Sequence, residues 1–181
     1  MAEVKKYSTI LADPPYAEYG GGKICRGAQR HYPLMKTPAI IEYMKQIPIE
    51  ENAHLYLWVT NNFLEDGLEV MKAMGFRYVT NLAWVKDRFG LGQYFRGQHE
   101  LLLFGVKGKV PYKRSVVDNK RSCIPTVHHA PRQEHSRKPD YFYEVAERTS
   151  YAPYLEVFAR RQREGWDSMG NEIANTSNPL N

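Results

Sequence analysis

A short β-rich run that stops on an acid and two consecutive prolines constrains this chain more than any other feature. Thr9-Ile10-Leu11-Ala12 is followed directly by Asp13-Pro14-Pro15-Tyr16. Proline has no amide hydrogen to give to a ladder and fixes its own φ, so a strand must end here. A strand ending this way puts Asp13 at the carboxyl edge of a sheet, where open α/β sheets bind their ligands. One carboxylate, two backbone carbonyls on donor-free residues and one flat ring then surround a single point. Such a set suits an amino group on a planar ring. Asp13 and the Pro14 carbonyl accept its N–H bonds, and Tyr16 stacks on the ring, a contact worth ~1–3 kcal/mol with a nucleobase.

The rest of the chain alternates in type. Thr37-Pro38 reads as an N-cap followed by proline at the first helical position, with a helix running to about Gln46 before Pro48. His54 to Thr60 is almost continuously apolar, as a strand buried on both faces should be, and Asn61-Asn62 closes it at the edge that holds Asp13. Phe63 to Met74 has helical spacing (Leu64, Leu68, Met71, Met74) and stops at Gly75. Phe76–Lys86 and Leu101–Val106 read as strands flanking a Gly- and aromatic-rich loop, and a basic stretch without periodicity runs on to Pro125. A polar segment leads to a helix entered at Lys138-Pro139, with Phe142, Val145 and Ala146 inside, and Tyr154–Ala159 reads as the last strand. Strands alternating with helices predict an α/β fold, a mostly parallel sheet flanked by helices. Trp58 and Trp84, on strands, are expected in the core, and Trp166 near the pocket. The 181 residues fit a single domain over 1–173, with a flexible tail over 174–181.

Several function classes drop out. No apolar stretch approaches the ~20 residues of a membrane span, and the start is too polar for a signal peptide, so a soluble, cytoplasmic protein is expected. Cys25 and Cys123 are too few and too far apart for a disulfide framework or a zinc site. Gly20-Gly21-Gly22-Lys23 lacks the flanking residues of a phosphate-binding P-loop, Ala17 and Ile24 standing where Gly and Ser or Thr are needed. His128, His129 and His135 have no ligand spacing with a cysteine or carboxylate, so no metal is expected and they read as loop histidines. The net charge is +5, and its cations cluster. Lys107, Lys109, Lys113, Arg114, Lys120 and Arg121 flank a single acid, with Tyr112 among them, a pattern suited to nucleic acid.

Taken together, Asp13-Pro-Pro-Tyr16, Leu57-Trp58 with Thr60, Trp84-Val-Lys86, Glu100, His135-Ser-Arg-Lys-Pro139-Asp140, Leu155-Glu-Val-Phe-Ala-Arg160 and Gly165-Trp166 with Gly170-Asn-Glu172 resemble the MTA-seventy-type adenine methyltransferases. That family includes bacterial and phage DNA enzymes and the catalytic subunit of the eukaryotic mRNA adenosine methylase. The resemblance spans nearly the whole chain.

The resemblance implies a Rossmann-like fold using S-adenosylmethionine and methyl transfer to the 6-amino nitrogen of adenine. Asp13, Pro14, Pro15 and Tyr16 would be the catalytic motif, with Ala12 and Asp13 bordering the cofactor. Lys138 would face the cofactor's carboxylate, while Arg160, Gln162, Arg163, Asn171 and Glu172 would hold its ribose and adenine. Tyr16 stands where mRNA-type members commonly have Trp, which favours DNA over RNA as the partner. No separate recognition domain is expected, so target contacts fall to loops 17–33 and 87–125. His31, Tyr32, Arg96, His99, Lys113 and Arg114 are the candidates there, because phosphate contacts can offset the roughly few kcal/mol needed to extrude a base. A homodimer or heterodimer is consistent with the family, as is an RNA substrate. A binding-only subunit would be expected to carry a degraded tetrad, and this one is intact. The expected setting is a prokaryotic cytoplasm, or that of a phage host.

Overall fold

The computed structural model of the chain describes residues 4–17, 34–90, 94–134 and 137–170. Among them, the elements run β1 (Tyr7–Ala12), α1 (Thr37–Met44), β2 (Ile49–Val59), α2 (Leu64–Ala73), β3 (Arg77–Val85), β4 (His99–Lys107), β5 (Val127–His129), α3 (Tyr141–Thr149), β6 (Tyr154–Val157) and β7 (Trp166–Met169). A 3-10 turn over Asn61–Phe63 leads into α2. The strands form one sheet in the order β5-β3-β4-β2-β1-β6-β7. β1 pairs in parallel with β2 and β6, β6 with β7, and β3 with β5. Only β4 runs against the others. Its reversal follows from its connection: no helix among the described residues separates β3 from β4, and a parallel return requires a crossover that packs on the sheet. The chain closes as a hairpin instead, with Lys86 N–H on the Gln98 carbonyl at 2.8 Å and Gly90 N–H on the Gly97 carbonyl at 2.7 Å.

The mostly parallel sheet flanked by helices is the architecture the element pattern predicts. β2 is buried from Ala53 to Val59, as a central strand covered on both faces must be. α1 and α2 cover one face, packing Ile40, Met44, Val70 and Met71 over Ile10, Leu55, Leu57 and Leu103. α3 covers the other, packing Phe142, Val145 and Ala146 over Leu11, Tyr56, Trp58 and Leu102. Trp58 and Trp84 both lie in this second core.

The details depart from the sequence pattern where local chemistry was outcompeted. Lys36, not Thr37, caps α1, because the Thr37 hydroxyl donates to Asp66 on α2 instead. β2 begins at Ile49, drawing the polar residues 50–52 into the sheet. His128 and His129, expected in a loop, form β5, and the His128 ring stacks on Tyr141 at 3.8 Å. β7 was not expected as a strand. Both strands are too short and too mixed in polarity to show a period. Trp166 opens β7, away from the Asp13 end of the strands. It stacks on Tyr154 at 4.9 Å and donates its indole N–H to Glu147 at 2.8 Å. β6 stops at Val157, since Phe158 turns the chain with a φ of 62°. β7 leaves pressed against that turn: a Cβ on Gly170 would lie 2.3 Å from the Ala159 carbonyl oxygen, so the approach requires glycine. The expected tail over 174–181 lies outside the described residues. No helix among the described residues is long and apolar enough to cross a membrane.

Candidate active site

β1 runs between β2 and β6, with Ala12, fully buried, opposite Leu57 on one side and Val157 on the other. Asp13 therefore emerges at the middle of the sheet's carboxyl edge. The two proline carbonyls behind it differ. Pro15 accepts the Met35 N–H at 2.7 Å, and Ala17 N–H returns a bond to the Met35 carbonyl at 2.9 Å, stitching the tetrad to the segment before α1. Pro14 accepts, among the described residues, the local Tyr16 N–H alone, at 3.0 Å. The Tyr16 ring stacks on Phe63, with centroids 4.9 Å apart and planes 13° from parallel. Its hydroxyl is buried without a hydrogen-bond partner among the described residues. Burial foremost, then the charges of Asp13 and Asp66, holds that hydroxyl well above the usual tyrosine pKa.

An alternating row of charges supports Asp13. Lys138, placed by the turn into α3, sets its ammonium 2.8 Å from Asp13 Oδ2 and 3.3 Å from Glu100 Oε2, with its side chain 9% exposed. Glu100, at the start of β4 and 8% exposed, also takes Lys86. Arg160 reaches Asp13 Oδ2 at 3.9 Å. Burial works against the Lys138 ammonium, but Asp13 and Glu100 outweigh it and hold its pKa above that of an ordinary lysine. Burial likewise opposes ionisation of Glu100, yet Lys138 and Lys86 together pull its pKa below the usual carboxylate value. Both are therefore charged at neutral pH. Desolvating such a row costs several kcal/mol per ion, so fold stability is a poor reason for it and placing charge beside a ligand is a better one.

A cavity of about 500 Å³ opens beside Asp13, walled by Leu11, Trp58, Lys138, Tyr143, Glu156, Phe158, Arg160, Arg161 and the segment before α3. Glu156 is the residue that sequence reasoning missed. Its Oε1 accepts the Tyr143 hydroxyl at 2.7 Å, while Oε2 is buried with no partner among the described residues. Burial first, then the Asp13 charge, raises its pKa against the pull of the Tyr143 bond. An orphaned buried acceptor is costly, and here it faces a cavity, so it suits a hydroxyl or amino donor on a ligand. The signal was in the alternation. Leu155 and Val157 are fully buried on one side, which turns Glu156 to the other, one strand away from Asp13.

The remaining expected site residues are dispersed. Arg160 lines the cavity, as does Arg161, which pairs with Asp140. Arg163 turns to Glu147 at 3.3 Å and lies over the Tyr143 ring, and Gln162 is exposed and not part of the lining. His31, Tyr32, Asn171 and Glu172 fall outside the described residues. Arg96 and His99 are exposed on the β3–β4 hairpin, at the Asp13 edge. Lys113 and Arg114 are not at that edge: β4 runs backwards, so the chain leaving it emerges at the far edge of the sheet. There Lys113 closes the last turn of α3, its ammonium on the Glu147 carbonyl at 2.8 Å and its backbone N–H on the Thr149 carbonyl at 3.0 Å. Arg114 binds the Asn119 carbonyl at 2.9 Å within its own loop. The basic stretch and the tetrad do not form one surface.

Comparison with known proteins gives the same family from several directions. The MT-A70 family model matches residues 7–172. The type II methyltransferase M.MunI of Mycoplasma sp is 30% identical over 192 residues, which are 93% of this chain and 78% of that protein. The putative N(6)-adenosine-methyltransferase MT-A70-like protein of Medicago truncatula is 29% identical over 183 residues, 93% of this chain and 27% of that protein. The human N(6)-adenosine-methyltransferase catalytic subunit METTL3 is 27% identical over 182 residues, 93% of this chain and 28% of that protein. The chain thus spans little more than a quarter of the length of these two eukaryotic relatives. With the matched region running from the first strand past the last, the chain belongs to the MT-A70 family of methyltransferases.

Proposed function

We propose that the chain is an S-adenosylmethionine-dependent DNA methyltransferase acting on the 6-amino group of adenine. The observation that carries this reading is the Asp13 carboxylate at the cavity mouth, whose contacts with Lys138 and Arg160 both fall on Oδ2. Among the described residues neither ion pair uses Oδ1, so that oxygen can take an incoming N–H. The adenine amine is a weak nucleophile because its lone pair is delocalised into the ring. Asp13 and the Pro14 carbonyl, accepting its two N–H bonds, draw the nitrogen towards a tetrahedral shape. Tyr16, whose ring stacks on Phe63, is the proposed platform for the base. The proton released from the nitrogen passes to solvent.

The cavity fits a cofactor that bears both signs of charge. Lys138, Arg160 and Arg161 suit its carboxylate, and the orphaned Glu156 oxygen suits a ribose hydroxyl. Gln162, Arg163, Asn171 and Glu172 are proposed contacts on the family resemblance. When bound, S-adenosylmethionine supplies an electrophilic methyl group. DNA is favoured by Tyr16 at the fourth tetrad position and by the relative of type II designation, matched over most of its length. The same reading has the protein working in a prokaryotic or phage-host cytoplasm, alone or paired with a second subunit.

Incubation with labelled cofactor and matched DNA and RNA is expected to place label on DNA adenine, and label confined to RNA would replace DNA as the substrate. Asp13→Ala is expected to lower turnover by roughly a hundred- to a thousandfold while calorimetry still detects cofactor binding. Undiminished turnover would remove Asp13 from the mechanism.

A further inference from the structure

The β3–β4 hairpin rises from the Asp13 edge and carries a pattern that the fold itself does not use. Phe89 is 65% exposed, Phe95 86%, and Tyr94 fully so, and none of the three belongs to either hydrophobic core. Leaving large rings in water forgoes the free energy of burying them, so a surface like this marks a contact still to be made. The hairpin that presents them is well anchored. Besides its two backbone bonds, the Gln98 amide donates to the Lys86 carbonyl at 3.1 Å. Asp87 accepts the Arg132 N–H at 2.9 Å, tying the hairpin to the segment that leads to Lys138.

The surrounding charge selects the partner. Arg88 and Arg96 are exposed on the same hairpin and Arg132 is exposed on the segment bonded to it, while Asp87 is already engaged by the Arg132 amide and by Arg88 at 3.5 Å. Rings stack on any base face without reading its edge, and guanidinium groups beside them meet the phosphates between bases. Bases within an intact duplex have no free face. We propose that this hairpin is a nucleic-acid grip, in which Tyr94 and Phe95 stack on unpaired bases next to the target adenine while Arg88, Arg96 and Arg132 take the flanking phosphates. The proposal rests on the DNA reading above and adds to it a preference for single-stranded or locally opened DNA.

The test is fluorescence anisotropy with the full chain, using a labelled adenine-containing single strand and a blunt duplex of the same sequence. Tyr94→Ala/Phe95→Ala is expected to weaken single-strand binding by about thirtyfold or more and to leave duplex binding nearly unchanged. Arg96→Ala is expected to weaken both and to lower the salt slope by about one. Calorimetry with the cofactor should give wild-type affinity for each variant, which excludes misfolding as the cause. Unchanged single-strand affinity in the aromatic double variant overturns the proposal. So does a fall in sedimenting mass with nucleic-acid affinity intact, which would make the hairpin a protein interface. Methyl transfer by the wild type, measured in parallel, keeps the two readings separate. Transfer without hairpin-dependent binding refutes the grip alone, and hairpin-dependent binding without transfer refutes the enzymatic reading alone.

Discussion

Both edges of the sheet bury polar groups, and the two sets are satisfied in opposite ways. At the far edge, Ser150 Oγ lies 2.7 Å from both His54 Nδ1 and the Tyr56 hydroxyl, and Tyr56 also meets Thr149, whose hydroxyl donates to the Val145 carbonyl at 2.7 Å. Every member is neutral. Burial pushes the His54 pKa down to about 4, so its ring carries no charge at pH 7. At the Asp13 edge Glu100 and Lys138 are ionised, and of the three buried side-chain oxygens with no partner among the described residues, on Tyr16, Glu156 and Ser168, that of Glu156 belongs to a residue of the cavity wall. The first cluster is closed on itself and needs nothing further. The second has bonding capacity left over beside a cavity. Unspent capacity on a cavity wall, rather than polarity, distinguishes the site from the scaffold.

The contrast breaks most readily at Glu100. Glu100→Gln leaves Lys138 and Lys86 facing a neutral amide, and the expected cost is ~3–5 kcal/mol in urea unfolding, with weakened cofactor binding. A loss below ~1 kcal/mol would show that the row of charges is screened by water and no different from a surface pair. Next in size is a matched pair of substitutions. Tyr56→Phe takes one hydrogen-bond partner each from Ser150 and Thr149, which keep His54 and the Val145 carbonyl, and is expected to cost ~1–2 kcal/mol without altering cofactor affinity. Glu156→Gln is expected to change stability by less than ~1 kcal/mol and to weaken cofactor binding by about tenfold. Equal behaviour of the two variants would erase the distinction between the edges. The remaining effect is a pH dependence, read as a slope rather than as a loss at one pH. Native His54 resists protonation until about pH 4, whereas the unfolded chain takes up that proton near pH 6.5. The unfolded state thus binds more protons in between, so stability falls as pH drops from 6.5 towards 4 and levels off below. Urea midpoints measured over that range should lose this slope in His54→Phe.

How much of this was legible in the sequence depended on the length and purity of the signal. The strand before Asp13, the buried run in β2, the helix entered at Lys138 and the helices on both faces announce themselves, because prolines and long apolar periods leave few alternatives. β5 and β7, of three and four residues, have no period to read. The reversal of β4 was implicit in the missing crossover between β3 and β4, a property of the connection rather than of either strand. The same reversal misdirected Lys113 and Arg114, since charge clustering along a chain says nothing about which end of a sheet receives it. Glu156 was hidden by its apolar neighbours. A carboxylate within a buried run reads as an interruption until the pleat shows which way it faces.

The backward course of β4 also makes the tip of the β3–β4 hairpin a separable part. Its two ends leave the sheet side by side, on strands already paired along their length, so its tip can be lengthened, shortened or exchanged provided that Lys86, on Glu100, and Asp87, on the Arg132 amide, are kept. If the hairpin grips the target as proposed, target preference and bond-making chemistry can change separately, and a foreign tip grafted at residues 88–97 is expected to alter strand preference while leaving cofactor binding unchanged.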